Sequence, residues 1–278
     1  MAKRKRSQSI DRYLKEGRGQ GSGIEYKPWL HIQDVSSLGR STRLKGNKVP
    51  RQYEFLSDLE RDYFYLLEFS DVVVDIREQY PLLPMEETLL ISEGLGIKHP
   101  IDPRTQEPIV MTTDFIVTTN GKKNTNVART IKYKNDLANE RVLEKFEIER
   151  VYWERQGIDW GIVTESEISK IMATNIAFVH GYADLRYIDG FQDIDQSELT
   201  EFSIYLIGRL LSEELSLREI AQQLEKNYGL TAGSGIALFK HLVITKAVEI
   251  DLSEKLNVGQ IIPIEAVRTD FSEKVKAI

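Results

Sequence analysis

MTTDFIVT, residues 111–118, and VARTIKYK, residues 127–134, decide how this chain is read, because the two runs share one rhythm and flank the pair Asn120-Gly121. Asn-Gly between alternating runs is a hairpin signal. Side chains alternate along a strand, so Thr130 and Lys132 are expected on one face, with Asp114 set beside them from the facing strand. An acid, a second ligand position and a lysine then converge. Such a grouping can hold a divalent cation against a phosphate while the lysine supports an attacking water. Taken alone, the same residues equally describe a solvated sheet edge.

With 278 residues, 41% of them hydrophobic, the chain can bury a core and is expected to form two domains. It has no Cys, which excludes a disulfide framework and any thiolate metal site. His31, His99, His180 and His241 are scattered, against a structural zinc site. No apolar run approaches the roughly 20 residues needed to cross a bilayer, and the N-terminus lacks the apolar core of a signal peptide. The expectation is a soluble, cytoplasmic protein. The net charge of -6 conceals an asymmetry: residues 1–50 hold 12 Lys or Arg and 4 Asp or Glu, whereas residues 166–278 hold 11 and 17. A basic front suits phosphate contact. The cluster Lys3-Arg4-Lys5-Arg6 also fits a solubilising or import-like tail.

Residues 1–24 combine Lys, Arg, Gly and Ser, with a short helix expected near Ile10 to Lys15, and they are expected to order only against a partner such as DNA. SSLGRSTR, residues 36–43, brings small residues and two arginines to an anion, or is an ordinary surface loop. LSDLERDYFYLLEF, from Leu56, has helical spacing, and Ser57 with Glu60 makes a capping box. Glu60 is then either a cap or an acid reaching toward Asp114. Val72 to Ile76 reads as a buried strand, and residues 84–108, with four of the eight prolines, as a loop or lid. Ala138 to Gln156 is a helix with Val142, Phe146 and Trp153 on one stripe, followed by an apolar strand over Ile158 to Thr164. Strand, helix, strand argues a parallel crossover within an α/β domain.

Beyond Glu165 the pattern is helical: Glu167 to His180, Ser197 to Ser212, Ser216 to Asn227 and Thr231 to Leu242. Ser216 with Glu219 is a second capping box, Gly229 a stop, and Thr231 a cap for the last helix. β-like runs over Val243 to Ile250 and Ile261 to Val267 complete a winged helix-turn-helix pattern. Its second helix offers only Lys240 and His241, so this half is expected to contact protein rather than DNA.

Three stretches together resemble the TnsA family of transposon-end endonucleases. They are EGRGQGSGIEYKPWL with SSLGRSTR, then LSDLERDYFYLLEFSDVVVDIREQYPLL, then MTTDFIVT and IKYK ahead of NERVLEKFEIERVYW, in the family's order across residues 16–164. The resemblance implies a restriction-endonuclease-like nuclease over residues 57–165, preceded by a basic DNA-contacting arm over 1–56 and followed by a mostly α, winged-helix-like partner-binding domain over 166–278. It implies catalytic Glu60, Asp114 and Lys132, with a metal held by Glu60, Asp114 and Thr130. Thr130 departs from the family's Gln or Glu, and a hydroxyl is the weaker ligand. DNA contacts are expected from Arg18, Arg40, Arg43, Arg77, Gln79 and Lys134, the last also a rival to Lys132 on the same strand face. The implied cofactor is Mg2+, with Mn2+ as a substitute. The implied partners are double-stranded transposon-end DNA, a TnsB-like transposase and a TnsC-like AAA+ regulator, and the implied setting is the bacterial nucleoid. The activity implied is cleavage of the 5' strand at each end. The departure at Thr130 leaves open a catalytically weakened assembly factor, and a free-standing restriction-like endonuclease is a third reading.

Overall fold

Apolar residues at helical spacing after Ser57 form α1, Asp58–Phe69, whose N-terminus is capped by the Ser57 hydroxyl accepting from the Glu60 amide at 3.1 Å. The computed structural model describes residues 10–35, 40–121 and 125–271; Lys3 to Arg6 and Ser36 to Gly39 lie outside them. The chain divides into two units, Met1–Ile168 and Ser169–Ile278.

In the first unit β1, Thr42–Lys45, and β2, Gln52–Phe55, form an antiparallel ribbon. The main sheet has the order β3 (Val73–Pro81), β4 (Thr112–Thr119), β5 (Thr125–Ile131), β6 (Asp159–Val163). The first three strands are antiparallel and β6 runs parallel to β5, as the crossover through α3, Glu140–Arg155, requires. One core joins Phe64 and Leu67 of α1 with Tyr53, Phe55, Phe115 and Ile131. The other joins Ile116 and Ala128 with Ile148, Tyr152 and Trp153 of α3. The sheet therefore lies between helical layers, a mixed α/β architecture.

Three local expectations change. Residues 84–108 are not all loop: α2, Met85–Gly94, starts at Pro84 and buries Ile91, so this proline opens a helix rather than interrupting one. The buried stripe of α3 is Ile148, Glu149, Tyr152 and Trp153, with Val142 and Phe146 only half-buried. The stretch from residue 10 is held by contacts within the chain itself. Residues 10–15 are helical, and Arg18 is 6% exposed, donating to Asp34 at 2.5 Å, Glu16 at 2.8 Å and the Trp29 carbonyl at 3.1 Å. Satisfying the guanidinium internally offsets the cost of burying it.

The second unit contains α4 (Lys170–His180), α5 (Gln196–Leu211), α6 (Leu217–Tyr228), α7 (Ser234–Ile244) and a two-stranded pair, β7 (Val248–Glu249) with β8 (Ala266–Val267). The Ser216/Glu219 capping box forms, and Gly229 closes α6 at φ 67°. Thr231 does not cap α7. Instead Glu225 of α6 reaches across, one oxygen accepting from the amides of Gly233 at 2.9 Å and Gly235 at 3.0 Å. That places α7 so close to α6 that a Cβ on Gly235 would stand 2.6 Å from Cα and Cβ of Ala221.

Gly235→Ala should therefore destabilise the second unit by roughly 1–3 kcal/mol. Urea unfolding of the full chain reads this, and an unchanged midpoint would mean that the two helices do not pack at this distance.

Candidate active site

The sheet ladder breaks where the acids gather. β3 pairs with β4 through Glu78 with Phe115 and Tyr80 with Thr113, passing over Gln79 and Asp114. The β4–β5 ladder ends at Phe115 with Arg129. Gln79 takes φ 48°, a left-handed conformation costly for a residue with a Cβ, of order 1–3 kcal/mol. Asp114, released from the ladder, accepts at Oδ2 from the Ile131 amide at 2.7 Å.

Gln79 then joins the two acids. Its Nε2 lies 3.4 Å from Oδ1 of Asp114 and 3.4 Å from Oε2 of Glu60. Glu60 also accepts from the Leu56 amide at 3.0 Å and the Ser57 hydroxyl at 2.8 Å, so it is at once a helix cap and a neighbour of Asp114. Burial raises Glu60 to about 8, with the Asp114 charge adding to it. Burial raises Asp114 to about 6, against hydrogen bonds from Ile131 and Gln79 and the charge of Lys132.

Lys132 lies one residue past β5, its amide still bonded to the Val163 carbonyl at 3.0 Å and its Nζ 3.3 Å from Asp136. Lys134 is not on the strand. It opens a short 3-10 turn, Lys134–Ala138, with its amide bonded to Glu165 at 2.9 Å. The side-chain alternation that would align it with Lys132 has ended by then.

Thr130 faces the other layer. Its hydroxyl donates to Oε1 of Glu149 at 2.5 Å and accepts from the Trp160 indole at 3.1 Å. Thr113 mirrors it, donating to the same Glu149 oxygen at 2.6 Å and accepting from the Trp153 indole at 2.7 Å. Glu149 is 3% exposed, and burial raises it to about 7, the two threonine bonds opposing and the Asp114 charge adding. The sequence reading passed over Glu149. The available signal was its place among Ile148, Tyr152 and Trp153, which puts a carboxylate on the buried stripe of α3.

The expected DNA-facing residues separate into two groups. Arg40 is exposed, 3.3 Å from Asp58, and Arg43 is half exposed, 3.0 Å from Glu54. Arg77 is drawn down onto Asp75, Thr118 and Asn126, while Arg18 and Gln79 are buried.

Two desolvated carboxyls sharing one amide fit a hard cation that keeps most of its water or phosphate ligands, since its charge would relieve their mutual repulsion. Among the described residues no group of three or more His, Asp or Glu is arranged to hold a metal ion by itself. The hydroxyl of Thr130 is already bonded twice.

The chain is thus a mixed α/β unit built on a sheet, followed by a mostly helical unit, and known proteins share this division. Residues 70–165 match the family model described as TnsA-like endonuclease N terminal, and residues 167–252 the model described as TnsA endonuclease C terminal. The transposon Tn7 transposition protein TnsA of Escherichia coli is 34% identical over 269 residues, spanning 93% of this chain and 94% of that protein. The chain belongs to the TnsA endonuclease family, and is a transposition endonuclease. Among the described residues no helix is long and apolar enough to cross a membrane.

Both acids bind protons more tightly folded than unfolded. Their contribution to stability therefore declines as pH rises from the ordinary carboxylate range near 4 through about 8. In metal-free buffer the Tm should fall across that window, and Asp114→Asn should flatten the fall by removing the charge that faces Glu60. Because the substitution also removes the titration of Asp114 itself, equal slopes for the two proteins would show that Asp114 is not raised by the fold and that Glu60 does not sense it.

Proposed function

We propose that this protein cleaves the 5' strand at transposon ends as a divalent-metal-dependent endonuclease, with a restriction-endonuclease-like first unit and a winged-helix-like second unit. The observation that carries the reading is the Gln79 amide held 3.4 Å from both Glu60 and Asp114. These two carboxylates would hold Mg2+, or Mn2+ in its place. When bound, the ion supplies charge to the scissile phosphate and lowers the pKa of water. Lys132, whose charge already reaches Asp114, would orient the attacking water and offset charge developing on the phosphate. Gln79 keeps the two acids apart and aimed at one point, and the Ile131 amide fixes the rotamer of Asp114. Glu149 holds Thr113 and Thr130, which flank Asp114 on the two central strands.

DNA would meet Arg40 and Arg43, with Lys134 as a phosphate contact. The relative's name places it in Tn7 transposition. By that likeness the partners would be a TnsB-like transposase cutting and joining the 3' strand and a TnsC-like AAA+ regulator. The second unit, acidic and with α7 offering DNA only Lys240 and His241, suits a protein partner.

A second reading keeps one specific observation in its favour. With the Thr130 hydroxyl engaged by Glu149 and Trp160, a ligand position is missing, and the protein would serve mainly to bridge transposase and regulator.

A nicking assay on transposon-end DNA with the transposase and Mg2+ separates the two. Glu60→Ala, Asp114→Ala and Lys132→Ala should each lose on the order of 10²-fold or more in 5' cleavage, with Lys134→Ala close to wild type. If Asp114→Ala and wild type leave the 5' strand equally intact while 3' cutting proceeds, the bridging role stands and the nuclease reading falls. Glu149→Ala should cost about 10–100-fold and Glu149→Gln, which retains an acceptor for both threonines, far less. Equal losses for the two would assign Glu149 its charge rather than its hydrogen bonds.

A further inference from the structure

The sheet of the first unit ends at β6, and among the described residues the outer edge of β6 pairs with no strand. Edge strands are ordinarily blunted, because their free amides and carbonyls invite another chain. Here the edge borders an apolar groove. Phe146 of α3 packs edge-on against Trp160 of β6, ring centroids 6.1 Å apart, and Leu143 and Ile162 extend the lining to a volume of about 370 Å³. Leu143 is 46% exposed, a large apolar side chain left beside the open edge.

The rim decides the occupant. Glu140, Glu144 and Glu147 line the groove and no basic side chain does. Glu144 pairs with Arg141 at 2.6 Å and Glu147 with Arg150 at 2.7 Å, while Glu140 makes no ion pair among those observed. A nucleic acid would bring phosphate against these carboxylates. A second copy of the same face, paired edge to edge about a two-fold axis, would set glutamates against glutamates. A basic polypeptide meets neither objection.

We propose that β6 and α3 form a docking groove for an extended segment of a partner protein, which adds to β6 as a fifth strand, seats an apolar side chain against Leu143 and Trp160, and places Lys or Arg on the acidic rim at Glu140, since Glu144 and Glu147 already hold Arg141 and Arg150. Main-chain pairing supplies the register, and the groove and rim supply the selectivity. None of Glu60, Asp114 and Lys132 lines the groove, and docking there does not depend on the cleavage reading.

The test uses the full chain and three short fluorescent peptides read by polarisation. The first alternates Lys and Val around a central Leu, the second carries Glu for every Lys, and the third keeps the lysines but has Pro at alternate positions. The first should bind at least about tenfold tighter than either control, a difference of about 1.4 kcal/mol. Leu143→Lys, at a half-exposed position that should leave the Tm unchanged, should weaken it by a similar factor. Hydrogen exchange at amides 159–163 should slow when the first peptide is added to wild type, a readout that remains decisive if the variant misfolds. Equal binding by the proline peptide, binding unaffected by Leu143→Lys, unchanged exchange across 159–163, or no binding of the first peptide would each overturn the proposal.

Discussion

Two carboxyls that would repel one another when ionised are held at a single amide, and the local irregularity of the first unit follows from that constraint. Gln79 can reach both Glu60 and Asp114 only because its backbone leaves the ladder for a left-handed conformation. Asp114 can turn its carboxylate into the gap only because the β4–β5 register stops at Phe115, leaving the Ile131 amide to bond the side chain instead of a strand carbonyl. A regular sheet would satisfy those backbone groups internally and leave nothing for chemistry.

The surroundings make such a break tolerable. Behind β3, Arg51 pairs with both oxygens of Glu78, donates to the Ile76 carbonyl at 2.9 Å and lies over the Tyr53 ring. This buried pair ties the β1–β2 ribbon to β3 next to the strained Gln79. Removing one partner of such a pair leaves an uncompensated charge, so its worth here is positional. On the opposite face two indoles, two threonine hydroxyls and Glu149 form a closed relay beneath Asp114. The acid that the strand lacks at Thr130 is thus present from the helix, although as a neighbour that positions rather than as a third carboxylate of the same cluster.

The second unit uses the same device for a different end. Glu225 crosses from α6 to cap α7 through the amides of Gly233 and Gly235, permitting a helix contact that only glycine allows. Acidic side chains in this chain repeatedly serve backbone amides: Glu60 at Leu56, Asp114 at Ile131, Glu225 at α7. Charge counts alone do not reveal which acids are committed in this way.

Periodicity, caps and turn residues determined by themselves α1 with its Ser57 cap, the pairing of β4 with β5, the crossover through α3 to β6, and the existence of the helices of the second unit, because each depends on neighbours within a few turns of chain. The family resemblance pointed to Glu60, Asp114 and Lys132, and the structure sets the Gln79 amide 3.4 Å from both Glu60 and Asp114. Only the tertiary structure decided that Gln79 is a buried bridge between two acids, that Arg18 is an internal ion-pair residue, that Lys134 has left the strand, and that Glu149 holds Thr130. These four outcomes share one cause: each depends on partners 11 to 36 residues away, such as Trp29 for Arg18 and Thr113 for Glu149, and alternation along a strand carries no information about what the opposite layer brings to meet it.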